Sequence, residues 1–231
     1  MNETPISRAL ISVSDKSGIV EFARVLKKWN VEIISTGGTL KTLTDAGIAV
    51  KSVSAVTGFP EILNGRVKTL HPKIYAGLLA VSDNASHRQQ LDDLRIETID
   101  LVVVNLYPFE QTVSRNGISL EEAVEQIDIG GPTMIRAAAK NFKSKTVVID
   151  PKYYPRVAQE LESNGGAVSE ELRAELAAEV FQRTSQYDTA ITSYLRSRLS
   201  KQPSGHLPDT FSAFYGKLSD LRYGENPHQQ A

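Results

Sequence analysis

Ala9-Leu10-Ile11-Ser12-Val13 is an apolar run of strand length, and Ser14-Asp15-Lys16-Ser17-Gly18 breaks it at once. Ile19, Phe22, Ala23 and Leu26 then recur at i, i+3, i+4 and i+7, one face of a helix. The order is strand, polar loop, helix, and the loop leaves the carboxyl end of the strand, where open α/β sheets bind ligands. The unit repeats. Val31-Glu32-Ile33-Ile34 reads as a second strand, Ser35-Thr36-Gly37-Gly38-Thr39 as its loop, and Leu40, Leu43 and Ala46 as a short helix ended by Gly47. A third strand is predicted over 48–53. Leu101-Val102-Val103-Val104, bounded by Asp100 and Asn105, is the clearest strand and reads as the centre of a parallel sheet covered on both faces. Thr146-Val147-Val148-Ile149 is a further one.

Between the strands lie helical patterns. A polar helix is predicted over 86–94. Ser119-Leu120-Glu121-Glu122 fits a capping box opening a helix to about 127, and Pro132 suits the first turn of a helix running to Lys140. A helix over 153–161 precedes a long one capped by Ser169, with the ladder Leu172, Leu176, Val180, Thr184, Tyr187, Ile191 and Tyr194. The run Gly77-Leu78-Leu79-Ala80-Val81, within 74–81, predicts a short strand, and Thr57-Gly58-Phe59-Pro60 a turn. Strands alternating with helices define an α/β domain, a doubly wound parallel sheet flanked by helices, over residues 1–199. Residues 200–210 read as a linker, and 211–231 are too few for a core of their own.

The chain has 231 residues, 41% of them hydrophobic, with 26 basic against 27 acidic side chains. Near-neutral charge argues against nucleic-acid binding by bulk electrostatics and against a membrane-surface protein. With no cysteine there is no disulfide scaffold, thiolate metal site or cysteine nucleophile. The four histidines are scattered without metal-ligand spacing, so no metal is expected. No apolar run approaches a membrane span and the first residues lack a signal peptide's hydrophobic region, which makes a soluble, cytoplasmic protein the expectation.

Three loops carry chemistry. Ser12-Val13-Ser14-Asp15-Lys16-Ser17-Gly18 offers hydroxyls, a lysine and a helix N-terminus; Ser35 to Thr39 offers hydroxyls and bare glycine amides, again before a helix. Following consecutive parallel strands, both land on one edge of the sheet, where backbone N–H groups and helix dipoles favour an anion. Asn64-Gly65-Arg66-Val67-Lys68-Thr69-Leu70-His71-Pro72 brings two cations that an extended backbone projects to one side. Neither a Walker phosphate loop nor a G-x-G-x-x-G pattern is present, so a monophosphate is the economical ligand. Asp128, before Gly130-Gly131, reads either as a helix cap or as a reactive carboxylate, and Lys140 as a helix-end cation or a partner to it. Tyr107 leaves a buried strand within reach of a ligand. His71, before Pro72, reads as a structural hydrogen bonder.

Six collinear blocks, namely Ser12 to Lys16, Ser35 to Thr39, Gly65 to Pro72, Asn105 to Phe109, Asp128 to Gly131 and Arg136 to Asn141, resemble the inosine monophosphate (IMP) cyclohydrolase domain of the bifunctional purine-biosynthesis family, which joins it to an AICAR transformylase. That domain is similar in fold to methylglyoxal synthase. Leu221-Arg222-Tyr223-Gly224-Glu225-Asn226-Pro227-His228-Gln229 resembles the opening of the transformylase domain, with Arg222 and Tyr223 matching residues that help bind the AICAR nucleotide. The chain stops soon afterwards, so 200–231 is expected to be a linker and a truncated start of that domain. No transformylase activity is then expected, and 10-formyltetrahydrofolate would serve only the missing part.

The resemblance implies dehydrative ring closure of formyl-AICAR (FAICAR) to IMP, with no cofactor for that step, and a homodimer for the full-length protein. By motif match, Ser12, Ser14, Lys16, Ser35, Thr36, Gly37, Gly38, Thr39 and Arg66 would hold the 5′-phosphate. Thr69, Asn105, Ile129, Gly130 and Gly131 would meet base and ribose, and Lys68, Tyr107, Asp128 and Lys140 would be catalytic. The competing expectations are a non-catalytic phosphate- or nucleotide-sensing domain of the same fold, and methylglyoxal synthase itself.

Overall fold

The computed structural model describes residues 5–107, 109–114, 117–199, 210–212, 214–216 and 219. The predicted linker and the motif with Arg222 and Tyr223 fall outside them almost entirely. Five strands form one sheet: β1 (Arg8–Ile11), β2 (Glu32–Ser35), β3 (Val50–Ser52), β4 (Leu101–Val103) and β5 (Thr146–Val148). All pairings are parallel, in the order β3-β2-β1-β4-β5. Leu10 stands level with Ile34 on one side and Val102 on the other. The middle strand is therefore β1, and the expectation that Leu101–Val104 is the centre is corrected. β4 is an interior strand one place out, and hydropathy alone cannot separate two strands that are both buried on both faces.

The helices are α1 (Ile19–Lys28), α2 (Gly37–Asp45), α3 (Val53–Thr57), α4 (Pro72–Leu79), α5 (Ala85–Asp93), α6 (Phe109–Val113), α7 (Leu120–Glu125), α8 (Gly130–Lys140), α9 (Tyr154–Ser163) and α10 (Glu170–Leu199). Ile19, Phe22, Ala23 and Leu26 are the buried face of α1, as their spacing predicts. The capping box at Ser119 and Glu122 is present in both directions. Along α10, Leu172, Leu176, Val180, Thr184 and Tyr187 are buried, while Ile191 and Tyr194 are partly so. None of the described helices is long and apolar enough to cross a membrane.

Two expectations fail. The strand expected within 74–81 is helix α4. Ile74 and Leu78, four apart, form its buried side, and the unbroken apolar run that follows hides that period. His71 caps it, its Nδ1 accepting the Lys73 N–H at 3.2 Å, and Pro72 fills a first-turn position that needs no N–H. Val53, expected to end a strand, begins α3, because the Ser52 hydroxyl accepts the Ala55 N–H and turns the chain.

The amino edge of the sheet is closed by paired charges. Lys145, 1% exposed, reaches Asp100 at 3.3 Å. Asp100 also accepts the N–H groups of Ser7 and Arg8 at 3.0 and 3.1 Å, and Arg8 pairs with Glu32 and Glu97.

Candidate active site

The strand order reverses at β1, whose neighbours β2 and β4 are reached by connections on opposite sides, so the loops after β1 and β4 diverge and leave a crevice at the carboxyl edge. Asn105 binds these loops together. Its Oδ1 accepts from the Ser14 N–H at 2.6 Å, the Ser14 hydroxyl at 2.7 Å and the Asp15 N–H at 2.9 Å, and its Nδ2 donates to the Asp15 carbonyl at 3.0 Å. A second brace joins the loops after β1 and β2. The Thr39 hydroxyl accepts the Val13 N–H and donates to the Val13 carbonyl, both at 3.0 Å. The Ser35 hydroxyl, fully buried, donates to the Ile11 carbonyl at 2.7 Å. Asn105, Thr39 and Ser35 were expected to touch ligand. In the structure their side chains bond to the loop backbones and to Ser14, and so set the shape of the cleft. A short polar side chain beside a strand end reads the same from sequence in either role.

The cleft encloses about 760 Å³, within the range of small-molecule sites. Ser12, Ser14, Lys16, Thr36, Gly37, Gly38, Thr39, Arg66, Lys68, Thr69, Asn105, Tyr107, Asp128, Ile129, Gly130 and Gly131 all line it. Helix α2 begins at Gly37, directly after β2, so the first N–H groups of the helix face the cleft without intrahelical acceptors. Two ammonium groups converge there from different loops. Lys68 Nζ lies 3.7 Å from where a Cβ on Gly37 would stand, and Lys16 Nζ 3.7 Å from that of Gly38. Gly37 also has φ +54°, a left-handed backbone that favours glycine. Among the described residues neither lysine pairs with a carboxylate within 4 Å. Lys16 only approaches the carbonyls of Ser14 and Val13, at 3.4 and 3.5 Å. Two unneutralised cations at a helix N-terminus are a cradle for an anion.

Arg66 stands elsewhere. Its guanidinium grips Glu125 through Nη2 at 2.5 Å and Nε at 3.3 Å. The expected division put Arg66 on the anion and Lys68 toward the reacting end; in the structure Lys68 Nζ stands beside Gly37 and Arg66 is paired with Glu125. Glu125 carries no sequence signal beyond its place three residues before Asp128.

At the other end of the cleft, Asp128 starts the turn into α8. Its Oδ1 accepts the Gly131 N–H at 2.9 Å, and its own N–H donates to the Tyr187 hydroxyl at 2.8 Å. Burial pushes the Asp128 carboxyl above the ordinary aspartate value, against the opposing pull of the Gly131 N–H, the Lys68 charge and the Gly130 N–H. Lys68 therefore acts on both ends of the cleft. A Cβ on Gly131 would collide with Asp128 Oδ2, and one on Gly130 would come within 2.9 Å of Thr69 Oγ1, which explains the paired glycines. Tyr107 and Ile129, 52% and 60% exposed, flank the mouth. Lys140 is not brought to the cleft. It is exposed at the far end of α8, about 15 Å from Gly130 at 1.5 Å per residue. Tyr187, whose contact with Asp128 spans 59 residues, gave no sign in the sequence beyond its place on the buried ladder of α10.

An open parallel sheet with a polar cleft at its switch point defines a doubly wound α/β class of domain. The chain belongs to the family described as the MGS-like domain, whose model matches residues 18–133, which agrees with the methylglyoxal synthase-like fold. Residues 138–231 match the model described as the AICARFT/IMPCHase bienzyme. The two matches meet inside α8, where the structure has no boundary. The chain is similar to proteins named bifunctional purine biosynthesis protein PurH. The one from Acetivibrio thermocellus is 56% identical over 226 residues, covering 98% of this chain and 43% of the relative. The one from Chlorobium chlorochromatii is 57% identical over 231 residues, covering 100% and 44%. The chain thus spans less than half the length of these curated relatives. A solved structure titled "Crystal structure of ForH" is similar with a TM-score of 0.73 and 35% identity, over 80% of this chain and 95% of that one.

Proposed function

We propose that the cleft closes the purine ring, converting FAICAR to IMP as an IMP cyclohydrolase, and that the chain acts in purine biosynthesis as the relatives' name describes for them. The observation that carries the reading is the position of Lys68 between an anion cradle and a carboxyl with a raised pKa. A nucleotide whose 5′-phosphate sits on the α2 N-terminus, Lys16 and Lys68 would extend its base toward Asp128, with Ser12, Ser14 and Thr36 supplying hydroxyls at the phosphate.

The chemistry is intramolecular. The carboxamide nitrogen attacks the formyl carbon, the nitrogen loses a proton, and the resulting carbinolamine expels water. Holding both reacting groups in one conformer supplies much of the rate. Asp128 takes the amide proton, a task suited to a carboxyl that burial makes more basic than an ordinary aspartate. The Lys68 charge and the Tyr107 hydroxyl stabilise the oxygen that becomes negative on the formyl carbon and then leaves protonated. Thr69, Ile129, Gly130 and Gly131 shape the base pocket. Lys140 has no part in this reading because of its distance. The reaction calls for no cofactor or metal.

Purified chain mixed with FAICAR, followed by ultraviolet absorbance, tests the proposal: IMP should appear, and a folded sample without turnover would overturn it. The position of Lys140 outside the cleft favours a second reading, a nucleotide-sensing domain that binds without reacting. Binding of a nucleoside monophosphate with no turnover of FAICAR is its signature.

A further inference from the structure

We propose that Glu125 is a selectivity residue that competes with the ligand's phosphate for Arg66; the inference rests on the phosphate reading of the cleft above. Arg66 and Glu125 come from different elements, the loop after a short 3-10 turn (Leu63–Gly65) and the end of α7, and both line the cleft. Their contact uses two guanidinium nitrogens and both carboxylate oxygens, the fork geometry by which arginine also grips phosphate. Glu125 thus holds the guanidinium fork that a phosphate would take on Arg66.

The loop that carries Arg66 is held in shape from within. Leu63, Asn64 and Gly65 are successive left-handed residues, with φ 53°, 54° and 89°. An antiparallel bridge between Ile62 and Val67 closes them off, with N–H···O distances of 3.1 and 3.4 Å. The backbone therefore sets where the Arg66 side chain starts, and only the side chain needs to swing. Glu125 is more than half exposed, so water accepts its carboxylate when Arg66 leaves. A dianionic phosphate outcompetes it, because it also gains Lys16, Lys68 and the α2 amides, which Glu125 does not touch. A singly charged anion has no such surplus over a carboxylate and leaves Arg66 where it is.

Isothermal calorimetry at low ionic strength, with IMP and inosine as probes, tests this on the full chain, its fold checked by circular dichroism. Glu125→Gln should bind IMP about twofold to fivefold more tightly, the range of an exposed ion pair, and inosine as before. The gain should fade as salt is added and disappear in the Arg66→Gln background. An equal gain in that background would assign the effect to bulk charge and overturn the proposal, as would unchanged or weaker IMP binding by Glu125→Gln. If wild type binds IMP, only this inference falls in those cases; if neither wild type nor Glu125→Gln binds it, the phosphate reading falls too.

Discussion

The two edges of the sheet use charge in opposite ways. At the amino edge every charge described above has a partner: Lys145 and Arg8 are buried or nearly so, and Asp100, Glu32 and Glu97 take up their hydrogen bonds. At the carboxyl edge Lys16 and Lys68 stand near bare helix amides with no carboxylate within 4 Å among the described residues, and the Asp128 carboxyl is burdened by burial. A buried pair holds a fold only while both members are present. An unpaired group in a cleft costs stability and is kept free to meet a ligand. The same residue types therefore brace one end of the molecule and wait at the other.

The contrast is open to direct attack. Asp128→Asn keeps an acceptor for the Gly131 N–H and removes the base, so turnover of FAICAR should fall about 10²- to 10⁴-fold, as read by absorbance, with the melting curve still cooperative. At the opposite edge Asp100→Ala strands Lys145 and two backbone N–H groups. Urea unfolding should show a loss of about 3–5 kcal/mol, while the KM of whatever protein remains folded stays unchanged. Lys16→Ala removes one wall of the cradle and should raise KM for FAICAR about tenfold, on the order of one charge-assisted hydrogen bond, with little change in kcat; a fall in kcat alone would move Lys16 to the reacting end.

The smallest effect is the most telling. The Asp128 carboxyl has a folded pKa above its unfolded value near 3.8. Its contribution to stability is then full below the unfolded value and is lost as pH rises through the raised folded one. Wild type should lose stability relative to Asp128→Asn as pH is raised from the unfolded value through the higher folded one, as measured by urea midpoints. One substitution would thus slow turnover and relieve the fold. A difference that moves the other way would make Asp128 a structural cap.

Much of this was legible in the chain. The strand-loop-helix units after Ala9 and Val31 gave the parallel sheet, since apolar period and loop composition change together there. The cradle was legible too, because a parallel sheet sends Ser12–Gly18 and Ser35–Thr39 to one edge. What escaped were matters of side-chain aim. Asn105, Thr39 and Ser35 read as ligand groups, and their bracing bonds between loops left no mark in the sequence. Arg66 and Lys68, two apart, read as one basic pair divided between phosphate and base, and the fold pairs Arg66 with Glu125 while setting Lys68 beside Gly37. Helix α4 escaped because Leu78 to Val81 is apolar throughout and conceals the four-residue spacing of Ile74 and Leu78.

By itself the sequence determined which segments are buried and on which edge the polar loops emerge, because both follow from local periodicity and from the geometry of parallel connections. Only the tertiary structure decided which of those polar groups remain free. Whether a hydroxyl, amide or guanidinium is spent depends on partners 24 to 91 residues away, as with Ser35 on Ile11, Asn105 on Ser14 and Arg66 on Glu125. Hydrogen bonds and ion pairs are short-ranged, so no pattern within one element records them.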